Sequence, residues 1–281
     1  MKIRFITLSE DRVSAPDLIG ELGLSIFIES DEGNILFDTG QGMSTSHNAD
    51  TLGVDLEKVD NIVLSHGHFD HTGGLREVLR KINKRNVDII AHPNIWDRKY
   101  VRKPERSMDR FVGIPFQPLE LERLGARFIL TKESIKITEN IMTSGEIPMT
   151  NQFERLSSGM LFEEGADFKP DEVLDDQALL ITTEHGLIIL LGCAHRGAVN
   201  TIYHAQKLTG KEKIYMVLGG CHLIDPDNEV RIKATIDVLK ELNVQKVGLS
   251  HCTGLPASVQ LAQALGDRFF FNNVGTVTTM E

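Results

Sequence analysis

The chain has 281 residues, 41% of them hydrophobic and 25% charged, and a formal net charge of -10. That is ordinary globular composition, long enough to bury one large core or two small ones. The acidic balance excludes nonspecific binding to nucleic acid or to a membrane surface, both of which need positive potential. It leaves room for an anionic small substrate, because bound cations invert a local field. No segment approaches the roughly 20 apolar residues of a membrane span. Met1-Lys2-Ile3-Arg4-Phe5-Ile6 reads as a short strand, interrupted at once by Ser9-Glu10-Asp11-Arg12, and not as a signal peptide, so a cytoplasmic location is expected.

Strand signals continue in Leu24 to Ile28 and Asn34 to Phe37, which flank the turn Glu29-Ser30-Asp31-Glu32-Gly33 as a hairpin. The second strand ends in Asp38-Thr39-Gly40. A helix is expected from His47 to Leu56, and Val59 to Leu64 forms the next strand. Leu75, Val78, Leu79 and Ile82 are spaced as one helix face. Val87 to Ile90 is again a strand.

From about 94 to 170 the periodicity weakens and Pro104, Pro115, Pro118, Pro148 and Pro170 punctuate the chain. This stretch is expected to be an irregular insertion or cap within a single domain spanning 1–281, with short strands near Arg127 to Leu130 and Ile141 to Thr143. Its pattern does not separate a cap from a subunit interface. The basic run Arg98 to Lys103 fits either a solvated loop or a phosphate-facing edge.

The last third repeats one theme. Ala178 to Thr182 pairs with Leu187 to Leu191, which ends in Gly192-Cys193-Ala194-His195; a helix follows to Leu208. Ile214 to Leu218 ends in Gly219-Gly220-Cys221-His222, a helix runs from about Val230 to Leu242, and Val247 to Ser250 ends in His251-Cys252. Chemistry in α/β sheets collects at the carboxyl ends of strands. Each of the three cysteines lies within two residues of a histidine, which fits reduced thiols near a metal pocket better than a disulfide framework.

The most informative stretch is His66-Gly67-His68-Phe69-Asp70-His71, three imidazoles and a carboxylate within six residues, directly after an apolar strand. With ten His in the chain, such a run arises by chance on the order of once in a thousand sequences. Imidazole and carboxylate are ligands for zinc, iron and manganese. His66 and His68, at i and i+2 of an extended segment, face one side. Asp70 and His71 sit one turn on, suited to a second ion. A two-metal site can clamp both the attacking and the leaving oxygen of a displacement. His195 and His251 are candidate distal ligands. Asp38 either orients a ligand histidine through its free ring nitrogen or caps the turn before Thr39-Gly40.

The run 66–71, preceded by the hairpin ending in Phe37-Asp38-Thr39-Gly40, resembles the signature loop of the metallo-β-lactamase fold superfamily. The resemblance covers nearly the whole chain and implies an α/β fold, a four-layer αβ/βα sandwich with metals along one edge. Its members include hydrolases, redox enzymes and transferases, so the fold does not choose the reaction. On the family's order, Cys193 takes the place of a bridging Asp, and Leu174-Asp175-Asp176 stands where a ligand His is usual. His195 then supplies the missing imidazole, with Cys193 as an alternative thiolate ligand. His251 matches the final ligand. His222 becomes a pocket histidine suited to proton transfer or phosphate contact, or a packed strand-end residue.

Thr143 to Pro148, Phe153-Glu154, Asp175 to Leu179, Gly192 to Gly197, Gly219 to Leu223 and Ser250 to Gly254, in this order, are similar to the subgroup around the dihydropterin synthase of methanopterin biosynthesis. Within it Arg196 is a candidate phosphate contact, or else a surface residue at the sheet edge. The resulting expectation is a metal-dependent hydrolase with two divalent ions, zinc first and manganese or iron next. Its ligands are His66, His68, Asp70, His71, Cys193, His195 and His251, with Asp70 and His222 catalytic. The substrate is a phosphorylated small molecule. The alternative is a transferase joining a dihydropterin diphosphate to a ribofuranosyl-aminobenzene phosphate. An iron redox member, which normally carries a fused flavin domain, and a ligand-sensing module fit less well.

Overall fold

The computed structural model describes residues 1–103, 105–225 and 228–280; Pro104 and Glu281 lie outside them. Two large sheets face each other. The first has seven strands in the spatial order Val277–Met280, Ile3–Ser9, Ser25–Ser30, Gly33–Phe37, Asn61–Val63, Val87–Ala91, Ala126–Leu130. The second has six: Phe269–Phe271, Lys246–Leu249, Ile214–Gly219, Gly186–Leu191, Leu179–Thr183, Ile141–Thr143. Each sheet combines antiparallel pairs with a run of four parallel strands.

Residue alternation along the strands builds the layers. Ile26, Ile28, Ile35 and Phe37 point between the sheets, where they meet Leu179, Ile181, Ile188, Leu190, Met216 and Leu218. The intervening Phe27 and Leu36 point outward, onto Ala49 of the helix Ser44–Leu52 and onto Leu75, Val78, Leu79 and Ile82 of the helix Leu75–Ile82. In the second sheet Leu187, Ile189 and Leu191 face the helices Ala198–Thr209, Glu229–Glu241 and Leu255–Leu265. Strands buried on both faces need no polar face, which is why these segments read as continuous apolar runs. The result is the expected four-layer αβ/βα sandwich.

Several boundaries differ from the sequence reading. The helix expected at His47 begins at Ser44 and stops at Leu52, because Gly53 adopts a left-handed φ of 69° and returns its N–H to Ala49 and Asp50. The helix Leu255–Leu265, started by Pro256 in its first turn, and the strand Val277–Met280, paired antiparallel with Ile3–Ser9, were not anticipated.

The 94–170 stretch does three jobs. Ala126–Leu130 and Ile141–Thr143 are edge strands of the two large sheets. Lys99–Val101, Arg110–Phe111, Met160–Glu164 and Asp167–Pro170 form a separate four-stranded antiparallel sheet. Three of the four cations of the basic run are ion-paired: Arg98 with Glu163, Arg102 with Asp109, and buried Lys99 with Asp171 and Asp175.

Leu190, wholly buried between the sheets, tests this layering. Leu190→Ala is expected to lower unfolding stability in urea by about 2–5 kcal/mol. Leu119→Ala, at a residue 57% exposed, is expected to change it by about 0.5 kcal/mol or less. Equal effects would contradict the placement of the core.

Candidate metal centre

Parallel strands of both sheets end at one edge, and their last residues turn sharply. Asp38, Ala194, His222 and His251 all have positive φ, between 43° and 58°, a region that non-glycine residues occupy only when the surroundings hold them there. Gly192 allows the two sheets to meet: a Cβ on it would lie 2.0 Å from Ser65 Oγ. After Asn61–Val63 the chain bends at Ser65 and Gly67, and His68 occupies the N-cap position of the single-turn helix Phe69–Thr72.

His66, His68 and His195 form one trio. His66 Nε2 lies 2.9 Å from His68 Nδ1 and 3.3 Å from His195 Nε2. The protons can be assigned from the outer partners. Ser65 Oγ donates to Asp38 Oδ2 at 2.7 Å, so His66 Nδ1 at 2.9 Å must donate to Ser65, leaving Nε2 as a lone pair. Burial, reinforced by neighbouring imidazoles, holds His66 and His195 well below the usual histidine range. Burial also brings His68 down to about 4, against the pull of Asp70. Buried neutral imidazoles with nitrogens this close suit a cation better than one another.

Asp70, His71 and His251 form a second trio. His71 Nδ1 donates to Asp38 Oδ2 at 2.7 Å, and its Nε2 lies 3.2 Å from Cys193 Sγ and 4.0 Å from Asp70 Oδ2. Burial lowers the His71 pKa, but Asp38 and Asp70 overcome it and raise it. His251 Nδ1 donates to Asp11 Oδ1 at 2.9 Å, while its Nε2, 3.4 Å from Asp70 Oδ2, is buried without a hydrogen-bond partner. Burial raises the Asp70 pKa, but His71 and His251 overcome it and hold the carboxyl well below its usual range. The ligand-type atoms of each trio lie within 4.8 Å of one another, and Cys193 groups with His66 and His71.

The remaining sequence candidates fall around these trios. His222 packs its ring 4.3 Å from that of His195; its Nδ1 is buried without a partner and its Nε2 stands 3.7 Å from Asp225. Arg196 stands apart: its Nε and Nη1 donate to the carbonyls of Ile147 and Glu172, and its backbone N–H to Asp176. Burial pushes the Asp176 carboxyl up to about 7. The three cysteines are free and buried.

The sequence reading missed Glu10, Asp11, Lys99 and Asp175. Glu10 accepts the His251 backbone N–H at 2.8 Å, beside the Asp11 contact. Asp175 accepts the Gly67 N–H at 2.7 Å and the Lys99 ammonium at 2.9 Å, which anchors the 66–68 segment. A pair of acids directly after the first strand was the only trace of Glu10 and Asp11. A cavity of about 220 Å³ opens above the trios, with Leu22, Phe69, Val101, Val112, Met160 and Ile224 as its apolar wall and His68, Asp70, His195, His222 and His251 as its floor. The small sheet thus lends Val101 and Met160 to the site.

A family model of the Metallo-beta-lactamase superfamily matches residues 18–204. The 7,8-dihydropterin-6-methyl-4-(beta-D-ribofuranosyl)-aminobenzene-5'-phosphate synthase of Methanocaldococcus jannaschii is 37% identical over 276 residues, covering 95% of this chain and 93% of that protein. An uncharacterized protein of the same organism is 30% identical, over 97% of this chain and 98% of its own length. Among solved structures, a metal-dependent hydrolase of the beta-lactamase superfamily superposes with a TM-score of 0.82 at 25% identity, covering 99% of both chains. With the sandwich, the strand-end histidines and these matches in agreement, the chain belongs to the metallo-beta-lactamase superfamily.

Proposed function

We propose that the protein is a metal-dependent enzyme with a two-ion centre that hydrolyses a phosphorylated small molecule. The observation that supports this most is the pair of side-chain trios, four of whose six members (His68, Asp70, His195 and His251) line one cavity floor. His66, His68 and His195 would hold one divalent ion and Asp70, His71 and His251 the other, with Cys193 beside both. Imidazole and thiolate favour zinc, and the carboxylate admits manganese or iron. Such ions supply stabilisation of developing negative charge and a nucleophile active at neutral pH.

The chain's own residues do the rest. Asp38 and Ser65 fix the tautomers of His71 and His66, and Asp11 fixes that of His251. To His222, whose side chain lines the cavity floor, we assign the passing of a proton to a leaving oxygen. Arg196 is committed to two backbone carbonyls, so we assign it to holding its loop.

A second reading, transfer in place of hydrolysis, is favoured by the 37% identity to the synthase over 95% of this chain. The name of that enzyme's product contains a pterin, an aminobenzene and a 5'-phosphate, and the apolar wall of the cavity would seat a flat ring.

Three measurements test these assignments. In metal analysis of the purified protein, His195→Ala is expected to lose one of two ions, while Cys193→Ala keeps both with weaker retention under chelator. Retention of both ions by His195→Ala would remove it from the ligand set. His222→Ala is expected to keep its metal and lower kcat roughly 10²- to 10⁴-fold; loss of metal instead would make it a ligand. The zinc- or manganese-loaded protein is expected to turn over bis(p-nitrophenyl) phosphate above a His66→Ala control. Inactivity there, together with coupling of a hydroxymethyl-dihydropterin diphosphate to a ribofuranosyl-aminobenzene phosphate, would replace hydrolysis with transfer.

A further inference from the structure

A second cavity, of about 770 Å³, adjoins the metal centre. Two contacts join them: Arg231, in the wall of this cavity, reaches the carbonyl of Ala194, and Asp225, also in that wall, faces His222. Arg231 is 4% exposed and poorly satisfied. Its Nη1 and Nη2 meet the carbonyls of Arg155 and Ala194 at 3.4 Å each, and its Nε has no partner. A guanidinium carries five N–H donors and keeps its charge at all working pH. Burying it this far from saturation is costly unless an anion completes the site.

The helix Glu229–Glu241 points the same way. Asn228 occupies its N-cap but makes no side-chain capping bond, and its buried Nδ2 has no partner. Asn228, Val230 and Arg231 all line the cavity, so the first turn of a 13-residue helix opens onto it. Arg155, Ser157 and Ser158 add an exposed guanidinium and two hydroxyls. Asp225 is the one carboxylate among the described lining residues; it accepts a hydrogen bond from Ser157 and stands 3.7 Å from His222 Nε2.

We propose that this cavity is a phosphate-monoester subsite, holding a terminal phosphate of the substrate while another part of the same molecule reaches the metal centre. The proposal rests on the reading that the substrate is phosphorylated. A tetrahedral dianion offers acceptors in several directions at once, matching a guanidinium, an amide and helix N–H groups set around one space. A second anchor away from the reacting atoms would also orient the molecule on the cavity floor.

The test is calorimetric titration of the full chain with inorganic phosphate, first with chelator present and then after metal loading. Chelated protein is expected to bind one phosphate, and ribose 5-phosphate is expected to compete for it. Arg231→Gln should weaken that binding roughly ten- to hundredfold. Arg155→Gln, at an exposed position, should weaken it less and keeps the test valid if the Arg231 variant does not fold. Absence of binding in chelated protein, binding that neither substitution weakens, or binding that ribose 5-phosphate leaves undisturbed would overturn the proposal. The titration needs no turnover, so its outcome is separable from that of the activity assays.

Discussion

The Asp38 carboxylate is buried completely, has a left-handed backbone and accepts three hydrogen bonds: from the Ser65 amide, the Ser65 hydroxyl and the His71 ring. A carboxylate so enclosed is tolerable only when its lone pairs are met by well-placed donors. Meeting them fixes the turn after Gly33–Phe37 against the turn after Asn61–Val63. It also makes Nδ1 of His66 and of His71 the donor to this group of residues, so that the Nε2 of each is the nitrogen turned toward the candidate metal centre. The first-sheet half of the candidate metal centre depends on this one group. Asp11 plays the corresponding part for His251 in the second sheet.

The pattern of legibility follows from range in sequence. The 66–71 run could be read directly because its candidate ligands are local, all within six residues of one another. Apolar runs such as Leu187 to Leu191 marked strands buried on both faces, and their abrupt ends in Gly-Cys-Ala-His or Gly-Gly-Cys-His marked the chemical edge. The helix spacing of Leu75 to Ile82 was equally plain. Asp11, Glu10 and Asp175 left no comparable trace, since a short acidic pair in a loop looks the same whether it meets solvent or a histidine 240 residues away. Lys99 is a sharper case. Its basic surroundings suggested a solvated or phosphate-facing edge, yet it is buried between two aspartates that arrive from more than 70 residues downstream. The small sheet was also opaque, because its strands are short and half exposed and carry little alternation.

The buried Lys99 pair links that small sheet to the loop carrying His66 and His68. Asp175 divides its carboxylate between the Lys99 ammonium and the Gly67 N–H, so the small sheet and the segment carrying His66 and His68 share one acceptor. Buried ion pairs contribute little net stability, but removing one partner leaves a charge stranded. Here the arrangement ties the apolar wall, through Val101 and its neighbours, to the floor it covers.

Each trio draws its members from both sheets. His66 and His68 follow a strand of the first sheet and His195 one of the second; Asp70 and His71 belong to the first and His251 to the second. The two sheets otherwise meet through an apolar layer, whose contacts are non-directional and do not strongly prescribe a sliding position. The trios therefore act as vernier marks on that interface. A lateral creep of one sheet that the hydrocarbon layer would absorb shifts both sets of donor atoms together. The alignment of two halves of the molecule, and not only the identity of six side chains, thereby becomes a quantity on which selection can act.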